Sequence, residues 1–434
     1  MALWNSRVSP EGPLPKSCCS YNTKVTATRP KAGSALPLAQ PEDGLDARTA
    51  RTAFAGFFLA GLLMSLLGAI LPAWGYTLRS DFSAAGRHFF AMAAGILVSV
   101  SLSNRIVPRR GASFALALGS GIACAALFYL AAVSPPAASG WRSVGLFLLG
   151  VASGMLLNGL FHAVSPHYRH NPAATVNIAG ALFVLGGLAA ALFVAGAFYV
   201  YTVASTVFLL ALVPGFFTVA FSRRAFPHRA GPREVNWRVA LEDFRSPSAV
   251  LFALLLFVQS GNEWSLAGWL AIFLIHRIGA NPASALLLLA LYWFSLLAGR
   301  VTAQAFLPRI SHARMLLPSV LAAMFGCLIL SFTNNWFGAV LGVLSVGGGF
   351  ATIYPLVVEK IGIRFPYFHP TLFNGIFSLA MAGGLLAPWT LGLAADRWGI
   401  RVAVLLPLAG TVLVFLVLVL IWFEARVSGR VAPT

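Results

Sequence analysis

Long apolar runs alternate with short polar segments along most of this chain. The runs lie near 53–77, 86–104, 112–133, 143–163, 173–198 and 201–222, then 249–275, 283–307, 315–332, 335–358, 371–395 and 402–423. A helix rising 1.5 Å per residue needs about 20 residues to cross a hydrocarbon core roughly 30 Å thick, and these runs reach or approach that length. Strand-like period-2 alternation is absent, which excludes a barrel. The pattern predicts an all-α membrane protein with twelve transmembrane helices. The connections at 198–201 and 332–335 are so short that neighbouring runs could there be miscounted as one.

Composition agrees with that class. Hydrophobic residues make up 59% of the 434 and charged residues only 10%, so the bilayer serves as the solvent. The first 50 residues mix Pro, Ser, Ala and charges with no apolar h-region, and are expected to form a disordered cytoplasmic tail over 1–52 rather than a cleaved leader. The four cysteines (Cys18, Cys19, Cys124 and Cys327) have neither CxxC nor metal-ligand spacing.

The net charge of +18 does not indicate nucleic-acid binding, because the basic residues sit in small clusters between apolar runs. Those clusters report orientation. With the N-terminus placed inside, 24 of the 30 Lys and Arg fall on the cytoplasmic side and 6 outside, so both termini are expected to be cytoplasmic, in an inner or plasma membrane. The long polar connector at 223–248 divides the runs six and six. Within it Trp237, Leu241 and Phe244 have the spacing of a short amphipathic helix for the inner membrane surface, with a disordered loop as the alternative. Ser246 and Pro247 supply cap and first-turn chemistry for the seventh helix.

The two sets of six resemble each other. Gly61, Ser65 and Gly68 recur as Gly261, Ser265 and Gly268, and Pro108-Arg109 recurs as Pro308-Arg309. Asn177 with Gly186-Gly187-Leu188 recurs as Asn374 with Gly383-Gly384-Leu385. The expected architecture is therefore two pseudo-repeated halves, 53–222 and 249–423, with a short C-terminal tail at 424–434 and a solute path between the halves.

Twelve runs, cytoplasmic ends, a central basic connector and basic turns after the second and eighth runs resemble the major facilitator superfamily over about 53–423. Gly261-Asn262-Glu263, Gly268-Trp269, Gly299-Arg300, Tyr354-Pro355, and Pro388 with Gly392 are similar to the fucose permease and related sugar:proton symporters. The resemblance implies the major facilitator fold and solute transport, with proton coupling in that group. Two departures stand out. The turn after the second run reads Asn104-Arg105 then Pro108-Arg109-Arg110, without the acidic residue usual there, and the first and fourth runs carry no acid, Asn158 standing in the fourth.

Of the twelve acidic residues, eleven lie in tails, connectors or run ends; Glu263 alone lies deep, some 21 Å along the seventh helix at 1.5 Å per residue. A carboxylate near a helix centre costs on the order of 2.5–3.5 kcal/mol on insertion scales, which generally places it against a cavity or partner. Glu263 is the candidate for binding solute or proton, the alternative being a protonated packing residue. Gln259, Asn262, Trp264, Trp269, Tyr292 and Trp293 surround it in sequence or depth, and aromatic faces with amides suit a neutral polar solute such as a sugar.

Asn158 is a further substrate candidate, and Asn177, Asn374, Arg105, Arg109 and Arg300 are candidates for gating. The asparagines have interhelical bonding as their alternative, and Arg300, near the inner end of the eighth helix, reads as a snorkelling anchor. His162, His167 and His170 lack the partners of a metal site, and no cofactor motif or catalytic constellation occurs, so an enzyme is not expected. The expected partners are the lipid bilayer, a small solute and protons. Efflux of amphiphilic compounds and a non-transporting sensor remain as other readings.

Overall fold

The computed structural model describes residues 47–76, 81–170, 172–226, 247–306, 312–364 and 370–427, all but short turns of it helical. Met1–Asp43 is a separate unit outside the described residues, and Gly44–Thr434 forms one compact unit. The proposed surface helix through Trp237, Leu241 and Phe244 also lies outside them, as do Cys18, Cys19 and the Pro308-Arg309 pair.

The first helix, α1, is Ala47–Ile70. It begins six residues before the predicted run, because Arg48 and Arg51 extend the helix past the apolar stretch. Phe82–Ala132 is 51 residues of continuous helix apart from Gly111 at φ 83°, ψ 167°. That residue separates two limbs, α2 (82–110) and α3 (112–132). A side chain in this left-handed region costs roughly 1–2 kcal/mol, so glycine is where the chain can turn back. Then follow α4 Ser139–His170, α5 Pro172–Ala197, α6 Val203–Ser222, α7 Pro247–Ile278, α8 Pro282–Phe306, α9 His312–Phe332, α10 Trp336–Arg364, α11 Pro370–Trp398 and α12 Val402–Val427.

Among the described residues, eleven helical segments are long and apolar enough to cross a membrane, and the 51-residue one contains two limbs, which accords with twelve spans. Both tight connections are real helix boundaries. Thr202 caps α6 by accepting from Ser205 N at 3.2 Å, and Asn335 accepts from Gly338 N at 2.8 Å at the start of α10. Asn281 does the same for α8, accepting from Ser284 N at 2.8 Å, with Pro282 in the first turn.

Packing explains the repeated glycines. α1 lies on α5, and α7 lies on α11. Gly186 of α5 presses on the Phe58 carbonyl of α1, and Gly383 of α11 presses on the Phe257 carbonyl of α7, so closely that neither position has room for a Cβ. These two glycines are the repeated pair, and each makes the same contact in its own half. Between the halves, α2 meets α11, α5 meets α8, and α1 meets α7. The repeat maps α1 onto α7, α2 onto α8 and α5 onto α11, so the first two contacts are images of each other. The bundle's outer surface carries exposed Phe, Leu and Trp side chains such as Phe216, Phe332, Leu416 and Phe423, as a lipid-facing surface should.

Candidate functional site

Glu263 sits 16 residues into α7, about 24 Å from its start at 1.5 Å per residue. One turn back on the same face, Gln259 donates from Nε2 to Glu263 Oε1 at 3.0 Å. Gln259 is fully buried and its own Oε1 has no partner. From α8, the Tyr292 hydroxyl donates to the Glu263 backbone carbonyl at 3.3 Å. Two turns further along α8, Arg300 donates from Nη1 to the Gly180 carbonyl of α5 at 3.0 Å, across the boundary between the halves. Gly180 permits that approach, since a Cβ there would lie 2.9 Å from the guanidinium nitrogen.

Arg300 therefore turns inward, and the snorkelling expectation is corrected. The reason is a backbone acceptor in the other half that a linear reading cannot place beside it. Its Nε is buried without a partner. The charges of Glu263 and Arg300 act on one another, and both reach Tyr292 and Tyr354 of α10, although no direct ion pair joins the two. Tyr354 was not among the expected site residues; its one sequence signal was its place beside Pro355 in the family-like motif. Trp293 packs edge-on to Tyr292 at 5.5 Å and to Trp264 at 6.4 Å, and Gly187 of the opposite half seats the Trp293 ring. The result is a cluster of one acid, one base, an amide, two phenols and two indoles at the junction of α5, α7, α8 and α10. A half-buried carboxylate and guanidinium that form no ion pair leave donors and acceptors for a polar ligand or for a proton.

Other expected residues lie elsewhere. Asn262 is buried against Gly410 of α12, with Nδ2 unpartnered, and faces away from the cluster. Trp269 is six residues past Glu263, roughly 240° around the helix. It donates from Nε1 to the Pro388 carbonyl at 2.9 Å, stacks on Phe89 at 5.7 Å and meets Phe82 edge-on at 6.3 Å. Asn158 donates to the Gly154 carbonyl one turn back in α4, at 3.0 Å. Asn177 is half-buried, while Arg105 and Arg109 are exposed at the α2 end near Gly111. The side chains of Asn374, His167 and His170 lie outside the described part. Among the described residues there is no group of His, Cys, Asp or Glu arranged for a metal ion.

The contacts around Trp269 form a second junction, at the bundle face where α2 begins and α11 ends. Gly68 of α1 seats the Ala267 carbonyl and Gly268 of α7, and Gly86 of α2 lies against Gly392 of α11. The Asp396 carboxylate at the end of α11 accepts from Phe82 N, the first backbone donor of α2, at 2.9 Å. At that face the two halves are closed on each other.

Among the described residues, eleven helical segments long and apolar enough to cross a membrane, one of them made of two limbs, with a charged cluster where α5, α7 and α8 meet, make up a helical membrane bundle. No protein-family model matches the chain. Its sequence is 22% identical over 353 residues to an uncharacterised MFS-type transporter of Yersinia pestis, covering 80% of this chain and 89% of that one. A glucose/galactose transporter of Brucella abortus is 29% identical over 181 residues, 39% of this chain and 42% of that protein. Among solved structures, the nucleoside transporter NupG superposes with a TM-score of 0.64 at 15% identity, over 86% of this chain and 98% of that one. The E. coli fucose:proton symporter FucP does so with 0.56 at 15%, over 85% and 97%. The chain has the major facilitator fold and resembles transporters of that superfamily, including the fucose permease group.

Proposed function

We propose that this protein carries a small polar solute of the sugar or nucleoside class across the membrane by alternating access, with Glu263 as its proton-binding group. The observation that carries this reading is that Glu263, bonded by Gln259 and Tyr292, and Arg300, bonded to the Gly180 carbonyl, form no ion pair with each other where α8 meets α5. A solute hydroxyl can replace the missing direct contact between acid and base, and protonation of Glu263 changes what Arg300 can bind. The relatives named for glucose and galactose, nucleosides and fucose with protons support the solute class and the coupling. The distribution of basic residues supports cytoplasmic termini, which makes the closed face the outer one and the structure an outward-closed state.

The test is uptake by proteoliposomes of labelled hexoses, fucose and nucleosides. With a substrate identified, a proton gradient should drive accumulation in the parent. Glu263→Gln should lose uphill accumulation and keep exchange of labelled for unlabelled solute. Uphill uptake with unchanged pH dependence in Glu263→Gln refutes the proton role. Absence of flux for the whole panel from a folded protein refutes the solute class.

A further inference from the structure

Far from the central cluster, the N-terminal half contains another buried cation, at the face where α2 and α4 begin. Arg142 near the start of α4 is 7% exposed. Its guanidinium carbon lies 5.2 Å from the Trp74 ring centroid and 5.7 Å from that of Tyr76. Neither Nε nor Nη1 of Arg142 has a hydrogen-bond partner, and both are buried; the buried Nε1 of Trp74 lacks one too. Three donor nitrogens are thus unmatched within the span of one side chain over one ring.

The neighbouring polar groups are already engaged. The Tyr76 hydroxyl lies 2.6 Å from His88 Nε2, and His88 Nδ1 lies 2.9 Å from Ser143 Oγ. Whichever tautomer His88 takes, both of its ring nitrogens are engaged, Nε2 with Tyr76 and Nδ1 with Ser143. His88 therefore offers Arg142 no acceptor. The Asp81 carboxylate accepts from Ala84 N at 2.9 Å and Ser83 Oγ at 3.1 Å, both at Oδ1, and forms no ion pair with Arg142, while Arg87 donates to Ser83 Oγ at 3.2 Å. Buried charges are normally paired, and a guanidinium left with unmatched donors carries the desolvation cost of each. Two ring faces lessen the cost of the charge but accept no N–H.

We propose that the unmatched donors between Trp74, Tyr76, α2 and α4 bind a small anion, held by Arg142 Nε and Nη1 with Trp74 Nε1. The anion has the chemistry of chloride or of a phosphate oxygen, the latter either free or on a lipid headgroup. It neutralises a cation in the half of the bundle that has no embedded acid, and it ties the end of α1 to α4.

The test uses the full-length protein purified in detergent with gluconate as the sole anion. Chloride, phosphate or phosphatidylglycerol is titrated at constant ionic strength while Tm is followed, and binding of radiolabelled chloride is measured at equilibrium. The expected result is a saturable rise in Tm and one anion per chain at saturation. Arg142→Gln should weaken binding roughly tenfold or more, as expected for losing hydrogen bonds from a charged donor. Trp74→Phe keeps the ring under the guanidinium and removes only its N–H, so it should fold and weaken binding less; it keeps the test decisive if Arg142→Gln does not fold. A response to chloride identifies a free ion, and a response to phosphatidylglycerol alone, lost in the variants, identifies a headgroup. If no anion shifts Tm saturably, or if the folded variants respond like the parent, Arg142 is held by its two aromatic neighbours alone and the site is refuted.

Discussion

Replacing Asp396 by Ala tests whether the face where α2 begins and α11 ends is a gate. Asp396 Oδ1 accepts from Phe82 N at 2.9 Å, which places a carboxylate of the C-terminal half on the positive end of α2 in the other half. An exposed charge at a helix terminus contributes about 0.3–1 kcal/mol, and a hydrogen bond in water about 0.5–1.5 kcal/mol net. Asp396 is exposed, so the sum is held to about 1–2 kcal/mol, roughly a five- to thirtyfold change in an equilibrium at 1.4 kcal/mol per tenfold. Only the closed state makes this contact, so its loss should raise the open population by that factor. Ser265, buried on α7 one turn before Trp269, serves as the reporter once changed to Cys in a protein whose native cysteines are Ser. An impermeant thiol reagent added on the outer side should label Ser265→Cys about five to thirty times faster in Asp396→Ala. Asp396→Asn, which keeps an acceptor without the charge, should fall between. Asp81→Ala is the control, because Asp81 caps the same helix end through Ala84 N but from within the same half. Its loss frays α2 without favouring one state. An unchanged rate in Asp396→Ala, or an equal acceleration in Asp81→Ala, refutes the reasoning.

Other outcomes follow from packing. Gly383→Ala places a methyl against the Phe257 carbonyl and should cost about 1–3 kcal/mol, seen as a lower Tm of the purified protein. Gly196→Ala, where a Cβ meets nothing within 4 Å, should leave Tm unchanged or slightly raised. Trp269→Phe loses the hydrogen bond to the Pro388 carbonyl and should cost about 1 kcal/mol of stability, while solute affinity in a binding assay stays near that of the parent. Arg300→Lys should impair binding more than stability, since a lysine keeps the charge but cannot both reach the Gly180 carbonyl and present the fork's second edge; a parent-like dissociation constant would exclude Arg300 from the site.

The number and course of the helices could be read from the chain because each transmembrane helix needs its own apolar run, and nothing in the bilayer core can substitute for it. The repeat could be read for a related reason. Gly186 and Gly383 are required where two backbones touch, and that requirement leaves the same residue in both halves. Glu263 stood out because an acid among apolar neighbours is costly wherever that helix packs. The pairing of Gln259 with Glu263 follows from a four-residue spacing on one helix.

What tertiary structure decided was which face of each helix meets which neighbour. Asn262 and Trp269 share a helix with Glu263, yet one packs on α12 and the other joins the closed face. Arg300 has the sequence setting of a membrane anchor, and only the Gly180 carbonyl of α5 draws it inward. Tyr354 joins the cluster from 91 residues beyond Glu263, and Arg142 of α4 meets Trp74 and Tyr76 of the turn after α1. A sequence states the cost of burying each side chain along its own helix. The partner that offsets the cost comes from another helix, and its identity is set by how the helices pack.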